Sequence, residues 1–167
     1  IRLGAAALYG LAIVLSVVIP RRLGWDLKLS AILLDGAAAL ILFCIPAGLD
    51  HILSLYPIFF ATAFQWCAFQ GVYGYSCSTI FSTNNFKQTV LGFTHYLCEK
   101  DPEQLRKGKF FGGTLLFFHA GVVYSYFGYL MLGLHASLLL ILPLSVSFCL
   151  VCLEKKGERK AEVCQSR

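Results

Sequence analysis

Residues 29–49 read LSAILLDGAAALILFCIPAGL, a run of 21 residues that contains one charged side chain, Asp35. The hydrocarbon core of a bilayer is about 30 Å thick, and about 20 apolar residues in an α-helix cross it. Strands of a membrane barrel would alternate apolar and polar residues over about ten positions, whereas this run is continuous in Leu, Ile and Ala. The run therefore predicts a helix that spans a membrane.

The rest of the chain has the same character. Apolar residues make up 57% of the sequence and charged residues only 14%, whereas about a quarter of the residues in a soluble domain are charged. Histidines aside, four further stretches carry no charge: 3–20, 52–86, 110–134 and 136–153. We therefore predict an all-α integral membrane protein with about five transmembrane helices, at about 3–20, 29–49, 57–98 (broken), 110–132 and 136–153, before a basic tail at 154–167.

The basic residues give a separate estimate of the topology. If each predicted helix crosses once, the segments 21–28, 100–109 and 154–167 reach the same face, and they hold twelve of the fourteen Lys and Arg residues. A re-entrant hairpin at 52–98 would move nine of these charges to the other face. Cytoplasmic loops carry such an excess, so the sequence predicts a multi-pass protein of the inner (plasma) membrane with a cytoplasmic C-terminus. The clusters suit anionic lipid headgroups, and nothing in them requires nucleic acid.

The broken helix is predicted from residues 71–85, which read GVYGYSCSTIFSTNN. Residues 57–70 before this run and 86–97 after it have apolar side chains at helical spacing. Glycine and hydroxyl side chains disfavour a continuous helix between them. Irregular backbone at membrane depth occurs only where it is buried in protein or lines a water-filled cavity. Transporters place the positive end of a half-helix dipole at such sites.

The amide and hydroxyl groups of this segment form our candidate substrate site. The alternative is a helix at 57–76, a surface loop, and an amphipathic helix lying on the membrane. The residues alone leave both alternatives open. The candidate substrate-binding residues are Gln65, Thr79, Thr83, Asn84 and Asn85.

Asp35 is an acid inside a predicted crossing. A carboxylate at bilayer depth costs at least ~2.5 kcal/mol on insertion scales, so it normally faces a cavity or a partner. A coupling role with a proton or another cation is one interpretation. A structural acid that is protonated or hydrogen-bonded is the other.

The same segment contains a motif of a known protein family. It is matched in residue type and spacing by Gln65, Phe69, Gly74-Tyr75, Thr79 and Thr83-Asn84-Asn85-Phe86-Lys87. The chain thereby resembles the YoaK-like family of bacterial integral membrane proteins, a family of unknown function. Its members show a Gln-Asn-Ala stretch, a Gly-Tyr, a pair of threonines, and then Thr-Gly-Asn-Leu-Arg. This chain departs at Trp66 and at Asn84, where asparagine tolerates positive φ better than most residues.

The resemblance implies a longer protein. Family members carry a further N-terminal segment with its own Thr-Gly-Asn motif, which we expect before Ile1. The full protein would then hold two copies of a broken helix followed by two helices, a six-helix 3+3 bundle. Three crossings per copy is an odd number, so the second copy would be inverted, as in many secondary transporters.

These features favour a small secondary transporter or permease of an unidentified solute or ion. The alternative is a non-transporting membrane scaffold or assembly partner, whose glycines let helices pack closely. The sequence contains no P-loop, zinc-protease or serine-hydrolase motif, so we expect no enzyme, cofactor or metal site. The oligomeric state is left open, with a homo-oligomer among the alternatives.

Overall fold

The computed structural model describes residues 2–46, 48–72, 74–78 and 82–165. A 3₁₀ helix at Gly133–Leu140 precedes the last α-helix, and a hairpin of two short strands, β1 (Gly71–Val72) and β2 (Tyr75–Ser76), interrupts the middle of the chain. The chain divides into two units, Ile1–Ala68 with Leu132–Arg167, and Phe69–Met131. The helices are α1 (Arg2–Leu23), α2 (Leu27–Cys44), α3 (His51–Ser54), α4 (Tyr56–Ala68), α5 (Ser82–Glu99), α6 (Pro102–Leu132) and α7 (Ile141–Gln165).

Several of the helices are apolar enough to lie in a membrane. Among the described residues, three helical stretches are long and apolar enough to cross one: Leu3–Leu23, Leu27–Cys44 and Pro102–Glu158. The third has 57 residues, which at about 1.5 Å per residue far exceeds one hydrocarbon core. Large apolar side chains such as Leu116, Phe117 and Met131 are exposed on these helices and suit lipid contact. The predicted all-α membrane fold is confirmed, while the number of crossings stays a prediction.

Small side chains bring the helices of the first unit together. The helix α4 packs against α1 and α2, and α2 also packs against the 3₁₀ helix and α7. Ala31, Ala39 and Ala63 are fully buried, and Phe64 is the large side chain buried among them. Small residues let membrane helices approach closely, so α2 lies at the centre of this unit.

The helix α6 begins earlier than the sequence pattern predicted. The basic segment 100–109 was predicted as a loop with the helix starting at 110, but α6 starts at Pro102. Asp101 caps it, because its carboxylate accepts a hydrogen bond of 2.9 Å from the N–H of Glu103. Proline suits the first helical position, where its missing N–H would have no partner. The last predicted helix also differs: α7 starts at Ile141 and continues as helix into the predicted tail.

Two crossed ion pairs join the start of α2 to α7. Lys28 Nζ lies 2.8 Å from a carboxylate oxygen of Glu154, and Lys155 Nζ lies 2.9 Å from Asp26 Oδ2. Partly exposed pairs of this kind stabilise by only about 0.2–1 kcal/mol each. They nevertheless fix where along α7 the start of α2 lies. The result agrees with the charge pattern, and the side of the membrane that this end faces stays a prediction.

Acid is expected to weaken this end of the first unit. Partial burial raises the pKa of the Asp26 carboxyl, but the Leu29 N–H and Lys155 outweigh burial and hold that pKa below its ordinary value. A lowered folded-state pKa stabilises the fold above the ordinary value of about 4. The contribution is lost as the pH falls through the folded-state value.

Asp26→Asn should therefore melt at a lower temperature than the wild type at neutral pH. Asparagine still caps the helix but makes no ion pair with Lys155. The difference in melting temperature should shrink as the pH falls below about 4. Thermal unfolding in detergent across this pH range measures it, and a difference that stays constant would contradict the prediction.

In the second unit, α5 and α6 meet backbone to backbone. A Cβ placed on Gly92 would lie 2.7 Å from the nitrogen and 2.8 Å from the Cα of Gly108. A Cβ on Gly112 would lie 3.3 Å from Cγ2 of Thr89. These pairings run in opposite directions along the chain, so the two helices are antiparallel. Gly108 and Gly112 have the Gly-x-x-x-Gly spacing that lets membrane helices approach closely.

Gly92→Ala should destabilise the protein by about 1–3 kcal/mol, because the added methyl group meets backbone and the helices have to separate. Gly113→Ala is the matched control in α6, since a Cβ there meets open space. Alanine inside a helix is favoured over glycine by about 0.5–1 kcal/mol, so this control should not lower the melting temperature. Thermal unfolding of both variants checks the prediction, and equal melting temperatures would refute it.

Candidate functional site

The predicted break in the segment 57–98 is present. The helix α4 ends at Ala68 and α5 begins at Ser82, so the alternative of one helix over 57–76 is not found. Between them, β1 and β2 pair antiparallel, with Gly71 opposite Ser76. Gly71 has a φ of +139°, and a Cβ there would collide with the Tyr75 carbonyl oxygen. The hairpin was not predicted, because its strands have only two residues each.

Asn85 ties α5 back to the irregular segment. Its side chain is almost fully buried. The amide nitrogen donates to the Ser78 carbonyl at 2.6 Å, and the amide oxygen accepts from the Ser78 N–H at 3.4 Å. Both halves of the amide thus bond to backbone, and the buried amide is satisfied within the protein. This role is structural, and direct contact of Asn85 with a solute stays a prediction.

The other candidate residues of the break lie at exposed positions or outside the described residues. Thr83 and Asn84 are exposed in the first turn of α5, and Thr79 lies outside the described residues. Two buried polar atoms nearby in sequence, the Tyr75 hydroxyl oxygen and the Gln88 amide oxygen, have no hydrogen-bond partner in the described part of the chain. Water or a ligand commonly satisfies such atoms. Neither residue was predicted as a site residue.

Asn85→Ala should destabilise the protein by about 1–3 kcal/mol, because it removes both hydrogen bonds between the buried amide and the Ser78 backbone. Asn84→Ala, at the exposed neighbouring position, is the control and should change the melting temperature little. Limited proteolysis should also cut the Asn85→Ala variant faster between α4 and α5. Identical melting temperatures and cleavage rates in the two variants would rule out this role of Asn85.

A cavity of about 320 Å³ lies within the first unit. Asp35 of α2, Thr62 and Gln65 of α4 and Ser147 of α7 supply its polar side chains. Its volume falls in the range of small-molecule sites. Asp35 and Gln65, which the sequence singled out separately, therefore face one cavity. Its apolar lining consists of Ala38, Ile58, Ala61, Leu140, Pro143 and Leu144.

Asp35 supplies the charge of this cavity. It is the ninth of the 18 residues of α2, so it lies about 12 Å from the start of the helix, near its middle. Among the described residues, its carboxylate takes part in no ion pair and accepts no hydrogen bond. No Lys, Arg or His is among the described lining residues. An acid at this depth without a basic partner is a strong candidate for binding a mobile cation or proton.

The uncharged polar groups complete the site. The Thr62 hydroxyl donates to the Ile58 carbonyl of its own helix, which leaves its oxygen free to accept from a solute. Thr62 precedes Gln65 by three residues, and residues at this spacing share a helix face. That spacing was the signal that could have revealed Thr62 from the sequence. In the described residues no group of three or more His, Cys, Asp or Glu side chains could hold a metal ion.

The family comparison agrees with the motif in the broken segment. The family model described as "Protein of unknown function (DUF1275)" matches residues 2–152. The chain belongs to this family. The resemblance to the YoaK-like group is thereby confirmed, and the DUF1275 assignment brings no activity with it. No match was found among curated proteins or among solved structures.

Proposed function

We propose that this DUF1275 protein is a small secondary transporter that binds its solute in the cavity of the first unit. The observation that carries the proposal is the convergence of polar side chains from α2, α4 and α7 on that one cavity. Sites between the helices of a bundle are common for small ligands. Acids inside membrane helices usually mark ion or substrate pathways, and Asp35 is such an acid.

In this proposal Asp35 couples solute movement to an ion, and Gln65 orients the solute. The inner membrane, the cytoplasmic C-terminus and contact with anionic headgroups belong to the same proposal. They are supported by the concentration of basic residues in 21–28 and 154–167, because cytoplasmic segments carry that excess.

A membrane scaffold that transports nothing is the second candidate. The second unit favours it, because the Gly92–Gly108 contact is tight and Asn85 bonds to backbone without needing a solute. In a scaffold, water or lipid would fill the cavity of the first unit. Replacing Asp35 would then leave solute binding and flux unchanged.

A ligand-stability screen separates the two candidates. A solute that binds only the folded protein raises its stability by about 2.7 kcal/mol at a hundred times its Kd, so at least one small solute or ion should raise the melting temperature. Asp35→Asn should lose this shift. Asp50→Asn is the matched control, because Asp50 is exposed, caps α3 through the Ile52 N–H, and keeps its cap as asparagine.

The scaffold candidate predicts a different pattern in the same screen. No solute would shift the melting temperature of the wild type, or any shift would persist unchanged in Asp35→Asn. Either result would count against transport through this cavity.

A further inference from the structure

We infer that the solute is a small organic monocation, an amine or ammonium compound, and that it exchanges for one proton on Asp35. This inference rests on the proposed function and names the substrate class of the same cavity. It is carried by the charge, the volume and the apolar lining of the site.

The charge of the cavity selects a cation. Asp35 contributes a carboxylate, and the described lining holds no basic side chain to compensate it. In a medium of low dielectric constant, an anionic solute beside that carboxylate would be strongly repelled and a cation strongly attracted. The oxygens of the Gln65 amide and of the Thr62 and Ser147 hydroxyls add partial negative charge beside a bound cation. A quaternary ammonium is attracted by this charge alone, and a protonated amine can also donate its N–H to these oxygens.

The titratable groups His135, Cys149 and Tyr56 on the neighbouring helices do not line the cavity. On the 3₁₀ helix, the His135 ring packs against Phe43 with 5.1 Å between centroids. On α7, Cys149 lines a separate apolar groove. Tyr56 at the start of α4 lines another apolar pocket.

Further titratable groups also lie outside the lining of the cavity. On α4, Cys67 is half-buried outside the lining of the cavity. On α1, the Tyr9 ring lies against Trp66 at 6.4 Å. The charges of Lys28 and Glu154 neutralise each other at the helix ends. Asp35 therefore sets the charge of the described cavity by itself.

The size and lining of the cavity favour an organic body over a bare metal ion. Its volume of about 320 Å³ is about ten times the ~30 Å³ that one water molecule occupies in the liquid. A dehydrated Ca²⁺ or Mg²⁺ would need six or more oxygen ligands, and most of this lining is hydrocarbon. An ammonium group needs few acceptors, and its alkyl substituents can pack against Ile58, Leu140 and Leu144.

Exchange follows from the depth of Asp35. A bare carboxylate in the middle of a membrane helix is strongly disfavoured, so the empty, charged site is a poor state in which to rearrange the helices. The carboxyl group is neutralised either by a proton or by the bound cation. As one monocation binds, one proton leaves the Asp35 carboxyl to water, and the reverse happens on the other side. Each cycle moves one positive charge in each direction and is electrically neutral.

The test uses the full-length protein in liposomes with tetraethylammonium as the probe. This ion is permanently charged, so it does not cross the lipid as a free base. An acidic lumen should drive its uptake to about a tenfold accumulation per pH unit, as one-for-one exchange requires. Clamping the membrane potential with potassium and valinomycin should leave the initial rate unchanged. Asp35→Asn should abolish accumulation, while Asp50→Asn should retain it.

Melting temperatures and fluxes with three probes, tetraethylammonium, butyrate and sodium, separate failure of this inference from failure of the proposed function. Tetraethylammonium should raise the melting temperature of the wild type and of Asp35→Glu, which keeps the carboxylate, but not that of Asp35→Asn. If butyrate, or sodium alone, stabilised the protein and were transported, the solute would not be an organic cation, although the proposed transport would stand. Uptake of tetraethylammonium that follows the membrane potential would overturn the exchange. Neither flux nor stabilisation with any of the probes would overturn both proposals.

Discussion

Buried backbone that leaves a helix has to satisfy its own hydrogen bonds, and the second unit is arranged around this constraint. Each unpaired group in hydrocarbon costs several kcal/mol. Between Ala68 and Ser82, the two short strands pair with each other and the Asn85 amide pairs with Ser78. The first turn of α5 thereby places Asn85 within reach of the segment it stabilises. The glycine contact at Gly92 then seats α5 against α6.

In the first unit, by contrast, polar side chains face a cavity. Asp35 and Gln65 lie inside apolar helices and face a cavity instead of the backbone. Polar groups whose hydrogen bonds are made within the protein add rigidity, whereas polar groups that face a cavity are available to a mobile ligand. In the proposed function, Asp35 and Gln65 of the first unit bind and release the solute, whereas Asn85 of the second unit is engaged with its own backbone.

The sequence revealed Asp35 and Gln65 because charged or amide side chains are unusual within apolar runs. Thr62 did not stand out, since hydroxyl groups in membrane helices commonly bond to their own helix, as Thr62 does with Ile58. The broken helix followed from local glycine and hydroxyl content, but its hairpin depends on pairing between two-residue strands that no periodicity reveals. The early start of α6 was missed because its Asp101 cap lies inside a basic stretch.

The crossed ion pairs between α2 and α7 have a consequence for how the protein is made. Lys28 is synthesised 126 residues before its partner Glu154. While α2 enters the membrane, Lys28 therefore stands with Arg21 and Arg22 as an unpaired positive charge, the kind that orients a nascent helix. Its charge is neutralised only when α7 arrives. The same lysine is thus an uncompensated positive charge early in synthesis and a contact between α2 and α7 in the folded protein.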